Sequence, residues 1–119
     1  MFINFSNHPS QRWSESQRKA AESLGGEIVD MAFPAVPSTA TTAEVEAMAA
    51  KAVADITALN PDGALVQGEM TLVYNVVNAL KKRGFPVFAA CSERRKVETV
   101  HNGQTEKTSV FEFVQFRAY

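Results

Sequence analysis

The chain has 119 residues, of which 45% are hydrophobic and 21% are charged, and its formal net charge is −1. This length and composition predict one globular domain spanning residues 1–119. The near-neutral charge argues against a protein that binds duplex nucleic acid through a basic face.

The remaining global features predict neither a metal site nor a cofactor. Cys91 is the single cysteine, so no disulfide forms within the chain, and His8 and His101 fit no metal-ligand spacing. The first residues lack the features of a signal peptide, and no apolar run approaches the roughly 20 residues that span a bilayer. We therefore expect a cytoplasmic protein without a membrane partner.

Strands and helices alternate along most of the chain. In chain order the predicted elements are strand 2–6, helix 15–24, strand 27–32, helix 45–59, strand 64–67, helix 72–80 and strand 86–91, followed by a hairpin with arms 96–100 and 110–116. Two capping boxes, Ser14 with Gln17 and Thr41 with Glu44, mark helix starts. Asn102-Gly103 predicts the hairpin turn.

This order predicts an α/β fold. Strands joined by helices form right-handed crossovers and a parallel sheet with helices on both faces. We therefore expect a Rossmann-like three-layer sandwich, with a mainly parallel sheet and a C-terminal antiparallel β-hairpin.

Ligands of open parallel sheets bind beyond the carboxyl ends of the strands. Three polar segments are expected there as loops: residues 6–10, 68–71 and 91–95. In the first, Asn7 and Ser10 either contact a ligand or shape the turn, and His8 is the titratable group. Trp13 either packs before the helix or stacks on a base.

The second segment precedes a helix. Gly68 allows close backbone approach, and the helix start offers N–H groups to a phosphate. Glu69 either caps this helix or serves ribose binding and acid–base chemistry, and Thr71 either binds a ligand or caps.

The third segment combines a thiol, a hydroxyl and two cations. At least one of Ser92 and Glu93 is expected to face the cleft, whereas Cys91 is interpreted as a strand-end residue. Arg94 and Arg95 either pair with phosphates or lie in solvent.

Three stretches, 2–10, 68–71 and 90–94, together with the end at 113–119, resemble small stand-alone CRISPR-associated Rossmann-fold (CARF-like) proteins. The resemblance implies a homodimer that binds a cyclic oligoadenylate second messenger at the C-terminal strand ends and damps CRISPR defence signalling. It also implies a metal-independent ring nuclease, in which a ribose 2′-hydroxyl attacks the adjacent phosphate.

On this hypothesis the candidate catalytic residues are His8, Glu69 and Arg94. The candidate ligand-binding residues are Asn7, Ser10, Gly68, Thr71, Ser92 and Arg95. Three alternatives remain open: a non-catalytic nucleotide sensor or sponge, a nucleoside N-glycosidic-bond enzyme with Glu69 as nucleophile, and a partner-binding module.

Overall fold

A computed structural model describes residues 1–119. Its elements are β1 (Phe2–Ser6), a 3₁₀ turn (Ser10–Arg12), α1 (Glu15–Gly25), β2 (Ile28–Ala32), α2 (Thr42–Ala58), β3 (Gly63–Val66), α3 (Met70–Lys82), β4 (Val87–His101) and β5 (Gln104–Ala118). The sheet order is β2-β1-β3-β4-β5, with β5 antiparallel to β4 and all other pairs parallel. The predicted fold class is confirmed.

Local sequence signals place the helix starts and the hairpin turn. Ser14 caps α1 by accepting a hydrogen bond from the Gln17 N–H, and Thr41 and Glu44 form a reciprocal capping box at α2. Asn102 and Gly103 both have positive φ, 51° and 75°, as a two-residue hairpin turn requires. The predicted helix starts and the turn are confirmed. The box predicted at Ser14 and Gln17 is formed only by the bond from the Gln17 N–H.

The sheet is covered on both faces, which explains why all five residues of β1 are buried. Ile3 and Phe5 belong to a core cluster formed with α2 and α3. Phe2 belongs to a second cluster with Trp13 and Ala21 beside α1, against which Phe116 of β5 packs. The helices therefore lie on opposite faces, with α1 alone on one of them.

The prediction that residues 91–95 form a loop is wrong, as is the separate strand at 96–100. β4 runs without interruption from Val87 to His101, and a register shift between Cys91 and Ser92 lets it continue beside β5. Beyond this shift the two strands form a ribbon without a buried residue. The polar residues 92–96 belong to a solvated strand and not to a loop. A strand can be polar here because neither face of the ribbon covers a core.

The part of this ribbon beyond the shift, residues 92–113, is called the hairpin arm below. β3 pairs only with Val87 and Phe88 of β4, so the arm has no neighbouring strand. The molecule measures 56 × 37 × 21 Å. None of its helices is long and apolar enough to span a membrane.

Candidate functional site

Asn4 organises the loop after β1. Its side chain is 1% exposed, and its Nδ2 donates to the His8 carbonyl oxygen at 2.8 Å and to Asp30 Oδ1 at 2.9 Å. Its Oδ1 accepts a hydrogen bond from Ser6 Oγ at 2.7 Å. A buried amide with three partners fixes the backbone at His8, because another loop conformation would leave the amide itself without partners in the interior.

Asp30 of β2 ties the same loop to the next strand. It accepts hydrogen bonds from the Ser10 backbone N–H at 3.2 Å and from Ser10 Oγ at 3.0 Å. The Ser10 hydroxyl, a candidate ligand contact, therefore already donates a hydrogen bond within the protein. Asn7 lies exposed in the same loop.

An open cleft of about 770 Å³ lies beside this loop. It is the switch-point cleft, since β1 and β3 are neighbours whose connections run to opposite sides, where open α/β sheets bind ligands. It is lined by Ser6, His8, Arg12, Trp13, Ser14, Gln17, Leu65, Gln67, Ala90, Ser92, Phe111, Glu112 and Phe113.

One side of the switch-point cleft is polar and contains the start of α1. Arg12 supplies a cation, and Ser14 and Gln17 bring the helix N-terminus to the lining. The first N–H groups of a helix have no intrahelical acceptor and carry positive partial charge. This side is suited to an anion.

The opposite side is aromatic. Phe113 packs edge-on against Phe116, with ring centroids 4.9 Å apart. Phe111 is 73% exposed, and the Arg94 guanidinium lies 5.9 Å from its ring centroid. Flat, exposed rings flanked by a cation are the groups on which nucleobases stack.

Trp13 has a structural role in the cleft wall. Trp13 is 9% exposed, and its ring centroid lies 6.1 Å from that of Phe116. Its Nε1 donates a hydrogen bond to the His8 carbonyl oxygen at 3.1 Å. The packing interpretation is therefore the better one, and the ring lies in the cluster that also contains Ala21 of α1.

The structure brings part of the predicted site together. His8 and Ser92 line the switch-point cleft, and Arg94 borders it through Phe111. Arg95 follows Arg94 in a regular strand, so its side chain points to the other face. Its Nη1 lies 3.0 Å from Oε2 of Glu112, a residue that also contributes to the cleft lining.

Glu69 and Thr71 lie outside the cleft. Glu69 caps α3, accepting hydrogen bonds from the Thr71 hydroxyl at 2.6 Å and from the Thr71 and Leu72 backbone N–H groups at 3.0 and 2.9 Å. These hydrogen bonds hold the pKa of Glu69 below its usual value, and the bond from the Thr71 hydroxyl has the largest effect. The capping interpretation thus fits the geometry, and a carboxylate engaged in this way is a poor proton donor.

Gly68 has a packing reason to be glycine. A Cβ built there would lie 2.5 Å from the Phe33 ring, which in turn packs against Phe5. Gly68 lines a second concavity of about 590 Å³ between α3 and Tyr119. The Tyr119 hydroxyl donates to the Val66 carbonyl oxygen at 2.8 Å, and burial raises the pKa of Tyr119.

Sequence reasoning did not select several residues of the site: Asp30, Arg12, Gln67, Phe111 and Phe113. Gln67 carried a usable signal, since it is the polar residue ending an apolar strand, and its Oε1 accepts a hydrogen bond from the Ala90 N–H at 2.9 Å. The two phenylalanines carried none, because alternation alone does not reveal which face of an edge strand borders a cleft.

Comparison with models of protein families identifies a matching family. The model described as "Uncharacterized protein MJ1673 family" matches residues 1–117. The chain belongs to this family. The MJ1673 family description names no activity, CRISPR association or CARF identity. No curated protein and no solved structure matches the chain.

Proposed function

We propose that the chain binds a cyclic oligoadenylate as a homodimer and cleaves it without a metal, which would damp CRISPR defence signalling. The observation that carries the proposal is the switch-point cleft, which combines a helix N-terminus, the cation of Arg12 and aromatic rings that Arg94 flanks. Phosphates, riboses and bases of an oligonucleotide need these three kinds of group.

The cations on the two sides of the cleft hold the phosphates. Arg12 and Arg94 are exposed and able to make bidentate hydrogen bonds to phosphate oxygens. Ser14 and Ser92 offer hydroxyls for the ribose-phosphate backbone. Adenine bases stack on Phe111, whose ring is exposed beside Arg94.

His8 is the proton acceptor in the proposed reaction. The ribose 2′-oxygen forms a bond to the adjacent phosphorus while the bond from phosphorus to the leaving 5′-oxygen breaks. His8 takes the 2′-hydroxyl proton, and the leaving oxygen takes a proton from water. The products are linear fragments ending in 2′,3′-cyclic phosphate. Arg12 and Arg94 stabilise the charge that develops on the phosphate.

Binding is tested by the fluorescence of Trp13, the single tryptophan, which lines the cleft. Titration with a panel of cyclic oligoadenylates should change its emission in a saturable manner. Because charge-assisted hydrogen bonds are lost, Arg12→Ala and Arg94→Ala should each weaken binding about tenfold or more.

Arg95→Ala is the matched control, since it removes the same side chain one position along β4, on the opposite face. The affinity of Arg95→Ala for the cyclic oligoadenylate should remain within about twofold of the wild type, because the exposed ion pair that it removes contributes little to the stability of the fold. Equal losses in Arg94→Ala and Arg95→Ala would contradict the proposed cleft. Binding without turnover would favour the non-catalytic sensor.

A further inference from the structure

The hairpin arm is held to the rest of the chain by very little. None of its residues is buried, and none of its hydrogen bonds reaches outside the β4–β5 ribbon. A two-stranded ribbon is marginally stable alone in water. The arm nevertheless continues for ten residues on each strand beyond the register shift before the turn at Asn102.

The surface area of the chain is larger than a compact monomer requires. The chain exposes 7757 Å², about 1,400 Å² more than a compact monomer of 13.0 kDa. Its radius of gyration is 16.8 Å, against about 13.5 Å for a compact domain of this length. The excess exceeds the roughly 800 Å² that each partner contributes to a standard interface.

The side chains of the arm favour a protein partner. Val100 is 76% exposed, Phe111 73% and Val110 44%, so apolar groups face solvent on both faces of the ribbon. Single exposed apolar residues are ordinary on a folded domain, but these lie on a ribbon that has no core of its own.

The charges of the arm favour a second copy of this chain. The arm contains four acidic side chains, Glu93, Glu98, Glu106 and Glu112, and four basic ones, Arg94, Arg95, Lys96 and Lys107. A balanced, interspersed set lets two identical arms meet without net repulsion, whereas a nucleic-acid surface would be basic.

We infer that the hairpin arm is the homodimer interface, with the arm of each copy packed against its partner. Phe111 and Phe113 of the same arm line the switch-point cleft, so the second copy lies at the mouth of that cleft and narrows it. The inference rests on the homodimeric state proposed above and does not depend on the identity of the ligand.

The test is the mass of the full chain in solution, measured by sedimentation velocity over a range of concentrations. The wild-type protein should have a mass in solution of twice the 13.0 kDa of one chain. In the double variant Val100→Glu with Val110→Glu, like charges replace apolar contacts between the two copies. The dissociation constant of the dimer should rise at least tenfold. Both native side chains are exposed, and the carboxylate introduced at position 110 would lie beside Arg95, so the ribbon is retained.

The control is Met70→Glu with Tyr74→Glu on α3, where the native side chains are 82% and 68% exposed. It introduces the same charge on an exposed apolar surface outside the arm and should remain dimeric. A dimer lost in the α3 variant and kept in the arm variant would overturn the inference but not the proposed function. A wild type that stays monomeric at every concentration would overturn the inference and the homodimer, while Trp13 titration would still decide ligand binding.

Discussion

Replacing Asn4 by alanine should destabilise the protein more than any other single removal of an amide. The substitution deletes two donated hydrogen bonds and one accepted bond around a side chain that is 1% exposed. At about 1 kcal/mol for each bond, the free energy of unfolding should fall by about 3 kcal/mol. For a chain of this length the melting temperature should drop by about 12 °C.

Thermal and urea unfolding followed by circular dichroism measure this loss. Asn75→Ala is the matched control, because the Asn75 amide donates one exposed hydrogen bond to the Thr71 carbonyl oxygen, and it should stay within about 0.5 kcal/mol of the wild type. Asn4→Asp keeps the shape but sets an acceptor against Asp30 and the His8 carbonyl oxygen. A loss below about 1 kcal/mol in Asn4→Ala would refute the organising role assigned to Asn4.

Three further predictions concern α3 and the chain end. The hydrogen bonds that Glu69 accepts in the folded protein lower the pKa of its carboxyl group. The Glu69 cap therefore stabilises the fold fully at pH values above the ordinary pKa of a glutamate, and this stabilisation is lost as the pH falls through the pKa of Glu69 in the folded state. The difference in melting temperature between wild type and Glu69→Gln should therefore be largest at neutral pH and shrink in acid; a difference independent of pH would contradict the assignment. Gly68→Ala should cost about 1–2 kcal/mol in urea unfolding, since the new methyl displaces the Phe33 ring, and an unchanged midpoint would show that the ring moves freely. Tyr119→Phe should lose about 1 kcal/mol in the same assay, and because burial raises the pKa of Tyr119, that stabilisation should be present below pH 10 and disappear as pH rises further; a constant difference would argue against the hydrogen bond.

The layered fold could be predicted because its signals are local. Capping residues such as Thr41 and Glu44 and the turn at Asn102-Gly103 determine conformation through neighbours in the chain. The boundaries of β4 could not be predicted in the same way. A solvated ribbon uses polar residues on both faces, so its composition is that of a loop.

The candidate site was predictable as a place more than as a set of side chains. The end of β1 and the end of the predicted strand 86–91 could be assigned to one edge from topology, and His8 and Ser92 line the cleft there. Glu69 could not be placed, because an acidic residue at a strand-to-helix bend has the same sequence signature as a cap and as a catalytic group. The phenylalanine side of the cleft depends on the register shift between Cys91 and Ser92, which no local signal announces.

The proposed reaction is tested most directly by incubating the purified full chain with a panel of cyclic oligoadenylates in the presence of EDTA and separating the products. We expect linear fragments ending in 2′,3′-cyclic phosphate, formed at a rate that His8→Ala lowers by about a hundredfold or more while Trp13 titration still detects binding. Rings that remain intact, with no change in Trp13 fluorescence or melting temperature on their addition, would contradict the proposed function.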